Sequence, residues 1–105
     1  MTITIPRTVF VTNKSGHDYT PAEQYGRLVY ISEGQLDRFN LNEMYRLTAS
    51  AIQYANEEDY ILVTSLSVLN SIVCSVFARK FGRLNILLYK NRRYVLRTIM
   101  LDQLL

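Results

Sequence analysis

The chain has 105 residues, 49% of them hydrophobic and 20% charged, with a formal net charge of +3. That length and balance predict a single globular domain over residues 1–105 and exclude a disordered chain. The longest apolar runs, Tyr60 to Val63 and Asn85 to Tyr89, fall far short of the roughly 20 residues of a membrane span, and Met1 to Pro6 lacks the pattern of a signal peptide, so a cytoplasmic protein without membrane contact is expected.

In chain order, Thr8-Val9-Phe10-Val11-Thr12 is β-branched and aromatic and reads as a strand. Asn13 to Tyr19 is polar, contains Gly16 and reads as a loop. Thr20-Pro21-Ala22-Glu23 combines a cap, a proline at the first helical position and a glutamate able to reach back, with Gly26 as a stop. A helix of one or two turns follows from that pattern. Arg27 to Ser32 is a second strand, ending at Glu33-Gly34.

Asn40 with Glu43 three positions on opens a longer helix, whose Met44, Leu47, Ala51, Ile52 and Ala55 form an apolar face for a sheet. After the acidic turn Glu57-Glu58-Asp59, Tyr60 to Thr64 is continuously apolar up to its last residue, as strands buried on both faces are. Ser67 to Phe81 is predicted helical and stops at Gly82; its Asn70, Ser71, Cys74, Ser75 and Ala78 face is mostly small and allows close packing. Leu84 to Tyr89 and Tyr94 to Met100 read as a terminal hairpin turned by Asn91-Arg92-Arg93.

Strands alternating with helices predict parallel pairing through right-handed crossovers. The fold class is therefore α/β: a small, Rossmann-like layered sheet, mostly parallel, with an antiparallel strand at the carboxyl end. Cys74 is the one cysteine, has no partner for an intrachain disulfide, and reads as a small buried hydrophobe.

In such a sheet the loops after the strands gather at the carboxyl edge, where ligands sit near helix starts. Those loops are Asn13-Lys14-Ser15-Gly16-His17-Asp18, Ser32-Glu33-Gly34, Thr64-Ser65-Leu66-Ser67 running into Asn70, and Lys90-Asn91-Arg92-Arg93. A phosphate could use amides and hydroxyls of Thr64, Ser65 and Ser67, with Lys14, Arg92 or Arg93 supplying charge. Helix capping alone accounts equally for Ser65 and Ser67, and no glycine-rich phosphate fingerprint accompanies them.

His17, the single histidine, lies beside Asp18, which could orient or protonate it. A ligand-contact or loop-anchoring role is preferred over general base catalysis, because no activated nucleophile is apparent. One histidine and one cysteine are too few for a metal site, and no cofactor is expected. The basic residues Arg79, Lys80, Arg83, Lys90, Arg92, Arg93 and Arg97 cluster late in the chain, which is compatible with an anionic partner or with an ordinary solvated surface. Nucleic acid ranks last among partners, since no recognition-helix or aromatic RNA-binding motif appears. Of the eight tyrosines, most must be core or interface residues, with one or two available to stack on a base.

The stretches Val11 to Tyr19, Ala22 to Gly26, Glu58 to Thr64, Gly82 to Tyr89 and Tyr94 to Thr98 together resemble a family of small phage proteins, the first type of Thoeris anti-defence protein. The resemblance spans nearly the whole chain. It implies a sponge: a homo-oligomer, a dimer or an assembly of dimers, that binds and withholds a cyclic ADP-ribose isomer made by a bacterial TIR enzyme, without cleaving it. Relatives that also take cyclic oligonucleotides do so in separate pockets between subunits. His17, Asp18 and Arg97 lie in the resembling stretches and are carried over as ligand-binding; Lys14, Ser65, Asn70 and Arg92 come from the loop argument. In this assignment Arg97, Arg92 or Lys14 would meet a pyrophosphate, Asn70 or Asp18 the ribose hydroxyls, and a tyrosine face the adenine. The competing readings are a small phage structural or interaction protein assembling through the Ser71–Ser75 face and the terminal strand, and a nucleotide-processing enzyme using His17 and Asp18.

Overall fold

The structure, a computed structural model, describes residues 6–101. Strands β1 (Thr8–Val11), β2 (Arg27–Tyr30), β3 (Tyr60–Leu62), β4 (Arg83–Lys90) and β5 (Arg93–Met100) form one sheet in the order β2-β1-β3-β4-β5. The first four run parallel, and β5 returns antiparallel to β4 as a hairpin. The α/β sheet inferred from the sequence is the one observed. Two α-helices, α1 (Leu41–Ile52) and α2 (Ser67–Phe81), and one 3-10 turn, η1 (Thr20–Gln24), make the connections.

The chain moves from β1 outward to β2, then back across β1 to β3 and on to β4. Right-handed crossovers in opposite directions must cover opposite faces of the sheet. Phe10, Ile61 and Leu84 accordingly pack with α1 and α2, through Met44, Ile52, Leu69, Val73 and Phe77. Val9, Val11, Leu62 and Leu87 pack on the other face against Tyr19 and Ala22 of the η1 connection and Tyr94 of β5. Two helices therefore cover one face, and a five-residue turn covers the other. That imbalance leaves room above the carboxyl ends of β3 and β4.

The helix signals act nearly as expected. Asn40 Oδ1 accepts the Glu43 backbone N–H at 3.1 Å, while the Glu43 carboxylate turns outward to Arg46 instead of closing a capping box. Gly82 ends α2 in the left-handed conformation, φ 69°, with its N–H on Ala78 O. The predicted helix after Thr20 is a 3-10 turn, and its start is held by Asp18, whose Oδ1 accepts the Thr20 N–H at 3.0 Å and the Thr20 hydroxyl at 2.5 Å. Gly26 is needed for a different reason from the helix stop expected of it. A Cβ there would lie 2.5 Å from Arg7 O, because β2 begins tight against the strand it pairs with.

Buried polar groups pin the amino ends of the strands. Asp59, 2% exposed, accepts Thr8 N–H at 2.9 Å and Asn56 N–H at 2.8 Å. Asn85 beside it donates to Glu57 O and Asp59 O, each at 2.9 Å. The opposite edge of the sheet is open, and the candidate site lies there.

Candidate functional site

β1 and β3 are parallel neighbours from which the chain adds strands in opposite directions, to β2 and to β4, so the loops leaving them diverge to opposite faces. Beside that divergence, at the carboxyl edge, is a cleft of about 410 Å³. The β1 loop contributes His17, Asp18 and Tyr19; the end of β3 contributes Leu62, Thr64 and Ser65; the hairpin contributes Tyr89 and Tyr94. Small-molecule pockets occupy roughly 300–1,000 Å³, apolar walls with a few placed polar groups, and this cleft has that character.

Tyrosines build it. Tyr19 is buried; its hydroxyl donates to Asn13 O at 3.1 Å and receives the Ser15 N–H at 3.3 Å, holding the β1 loop in a closed turn. Tyr25, at the end of η1, donates its hydroxyl to Tyr94 O at 2.9 Å and so fastens the η1 connection to β5. The cross-strand pair Tyr89 and Tyr94 has ring centroids 5.3 Å apart. Tyr94 is 6% exposed and forms the base of the wall, whereas Tyr89, at 63%, keeps a ring face open to solvent. Burial pushes the Tyr94 phenol above its ordinary pKa, with smaller contributions from the charges of Tyr19, Tyr89 and Asp18. It stays a neutral donor in the physiological range.

The mouth is polar. His17 is exposed and meets Tyr19 edge to face at 6.3 Å. Asp18 is also exposed, and the Thr20 hydroxyl, followed by the Thr20 N–H, holds its carboxyl below the usual range. At neutral pH it is an acceptor for hydroxyl groups. Ser65, exposed at the end of β3, completes the rim.

The remaining expected site residues go elsewhere. Asn70 is a clamp inside the protein: its Oδ1 accepts the Thr12 hydroxyl at 2.7 Å and the Thr64 N–H at 3.2 Å, and its Nδ2 donates to Thr64 O at 2.6 Å. With Thr12 Oγ1 and Thr64 Oγ1 2.9 Å apart, these bonds lock the ends of β1 and β3 together. Lys14 stands over the ring of Tyr30, 4.9 Å from its centroid, on the β2 side. Arg97 pairs across the ladder with Ile86, whose side chain packs on the helix-covered layer, so Arg97 points to the face opposite the cleft. Its guanidinium meets Leu96 O at 2.8 Å.

Arg92 occupies the hairpin turn at φ 66°, after Asn91 at φ 53°. This is the two-residue turn that favours Asn-Gly, and an arginine takes the glycine position. The turn starts one residue beyond Tyr89, which sets Lys90, Arg92 and Arg93 next to the cleft along the chain without any of them lining it. Among the described residues no group of three or more His, Cys, Asp or Glu side chains is placed to hold a metal ion. Cys74 is half-buried on α2, away from the cleft, and burial raises its thiol pKa.

A family model described as phage Pam3 gp32-like protein matches residues 7–102. The chain belongs to this phage protein family. The match covers every strand and helix of the fold and names no ligand or activity. No curated protein and no solved structure matches the chain. The phage origin implied by the sequence resemblance thus holds at the level of the family. Among the described residues, no helix is long and apolar enough to cross a membrane.

Tyr89, Tyr94 and Tyr19 are the site residues that loop reading missed. A two-residue turn at Asn91-Arg92 makes Tyr89 and Tyr94 cross-strand neighbours, so the register itself was a signal. Tyr19 could be recognised only from the closed loop it organises.

Proposed function

We propose that this phage protein is a non-catalytic receptor that binds and withholds a cyclic ADP-ribose-type nucleotide signal. The observation carrying the reading is the tyrosine-walled cleft at the carboxyl edge. Tyr89 offers a free face on which an adenine can stack, above an apolar floor that includes Leu62. Asp18 accepts from ribose hydroxyls, and His17 and Ser65 supply further polar contacts at the rim. No bond of the ligand needs to break, and sequestration requires only affinity and sufficient copies of the protein.

The test is isothermal titration with the cyclic ADP-ribose isomer produced by a TIR enzyme, followed by heat release and mass analysis. Tight binding with intact ligand returned, weakened about ten- to a hundredfold in Tyr89→Ala, supports the receptor. Such a loss matches the roughly 1–3 kcal/mol that base stacking contributes. Turnover of the ligand that depends on His17 would replace the receptor with an enzyme. An absence of binding would remove the nucleotide reading.

A second reading, assembly through a homo-oligomer, is favoured by β5. Among the described residues it pairs with β4 on one side only, and its Ile99 and Met100 remain 43% and 37% exposed. An unpaired, partly apolar edge of this kind pairs with other strands. Light scattering across a concentration series, with Ile99→Lys as the disrupting variant, distinguishes a monomer from a dimer or an assembly of dimers.

A further inference from the structure

Of the tyrosines that build the cleft, Tyr19 and Tyr25 use their hydroxyls within the protein, on Asn13 O and Tyr94 O. Tyr94 differs. Its backbone carbonyl accepts from Tyr25, but its own hydroxyl has no hydrogen-bond partner among the described residues. The residue is 6% exposed, so its ring is packed on nearly every side. Among the described residues, the one sealed side-chain nitrogen or oxygen without a partner is Arg83 Nε. The Tyr94 oxygen is therefore not sealed, and it opens on the cleft that the residue lines. After burial, the charges of Tyr19, Tyr89 and Asp18 act on this phenol, and all three of those residues line the same cleft. A phenol buried to this extent ordinarily has a partner for its O–H, and phenylalanine would fill the same space without needing one.

Two further features limit what meets that hydroxyl. Among the described residues lining the cleft there is no lysine or arginine, and Asp18 sets a carboxylate at the mouth. A phosphate inside would be desolvated without a counter-charge, so the part of a nucleotide that enters is the uncharged nucleoside. The second feature is the angle between the two rings of the wall. Tyr94 is tilted 57° to Tyr89, with centroids 5.3 Å apart, and a base lying flat on Tyr89 turns an edge toward Tyr94. The edges of a purine carry ring nitrogens that accept hydrogen bonds.

We propose that the Tyr94 hydroxyl is the specificity-determining donor of the cleft, and that it reads a ring nitrogen on the edge of a purine whose face lies on Tyr89. The inference rests on the nucleotide reading of the cleft and adds to it the group that selects the base. A site built to hydrogen-bond one atom of its ligand rejects an analogue lacking that atom, because the site's own polar group is then left unpaired. Tyr89 supplies stacking that any base can use; Tyr94 supplies the discrimination.

The experiment titrates the full chain, wild type and Tyr94→Phe, with adenosine and with its 1-deaza, 3-deaza and 7-deaza analogues, each of which replaces one ring nitrogen by C–H. Adenosine affinity is expected to fall about three- to tenfold in Tyr94→Phe, the size of one neutral hydrogen bond. Tyr45→Phe, on the exposed face of α1, is expected to bind as wild type does. One deaza analogue should show the same loss against wild type and no further loss against Tyr94→Phe, the non-additivity that marks a direct contact. The unfolding midpoint of unliganded Tyr94→Phe should match wild type, since the hydroxyl has no partner to lose; a lowered midpoint would reveal a partner within the protein and overturn the assignment. Equal adenosine affinity in wild type and Tyr94→Phe means that water alone meets the hydroxyl, and the proposal fails while a loss in Tyr89→Ala still upholds the cleft. Deaza analogues weakened to the same extent in both proteins also overturn it. Adenosine that does not bind wild type removes the nucleotide reading and the Tyr94 contact together.

Discussion

Replacing Asn70 with alanine separates a structural clamp from a ligand contact. The side chain makes three hydrogen bonds, to the Thr12 hydroxyl, Thr64 N–H and Thr64 O, at 2.7, 3.2 and 2.6 Å. Truncation strands two backbone groups of Thr64 in a half-buried position, where water reaches them only in part. An unsatisfied buried group costs about 1–3 kcal/mol. With two groups affected and part of the loss recovered by solvent, the expected destabilisation is about 3 kcal/mol. At a urea m-value of roughly 1–3 kcal/mol/M the unfolding midpoint falls by at least about 1 M. In a domain of this size the same loss lowers Tm by roughly 10–20 °C. Asn70→Asp keeps both acceptor contacts but opposes Thr64 O, and its cost falls between wild type and alanine. An Asn70→Ala protein within about 0.5 kcal/mol of wild type, the range of ordinary surface substitutions, would refute the clamp and return Asn70 to the list of ligand contacts.

Three further outcomes follow from the same geometry. Arg92→Gly relieves a left-handed conformation that costs roughly 1–2 kcal/mol for a side-chain-bearing residue, part of it offset by glycine's backbone entropy; urea unfolding should register a gain of about 0.5–1 kcal/mol, and a loss would contradict the turn assignment. Gly26→Ala drives a methyl against the Arg7 carbonyl, which cannot yield without moving the β1–β2 register; a loss of about 1–3 kcal/mol is expected for such overpacking, and an unchanged midpoint would mean the strands do not approach that closely. The Asp18 carboxyl, held low by Thr20, contributes stability that is present above its unfolded value and is lost as pH falls through its lower folded value. Carboxyl-carbon NMR titration should find it moved upward in Thr20→Val, and coincident titrations in the two proteins would remove Thr20 as the cause.

Local chemistry was enough to establish the elements and their order. Asn40 with Glu43, Gly82 after an apolar period, and the β-branched runs each act within a few residues, so capping and turn geometry can be read directly from the chain. The parallel sheet also follows, because strands separated by helices can close only through crossovers. His17, Asp18 and Ser65 were legible as a group for the same reason: each follows a strand whose carboxyl end lies on one edge.

Other features depended on which face a side chain takes, and the sequence has no signal for that here. β1 and β3 are apolar on both faces, so alternation does not tell one face from the other. Arg97 is on the helix side because it stands opposite Ile86, and a shift of one residue in the hairpin would have placed it with Tyr94. Asn70 looked like a ribose contact as a polar residue near a helix start, yet its partners Thr12 and Thr64 are 58 and 6 positions away and meet it only once β1 and β3 are adjacent. The sequence by itself determined the periodicities, caps and turns, which are short-range. Tertiary structure decided the pairing of faces and the convergence of loops, because those depend on crossover direction and ladder register over the whole chain.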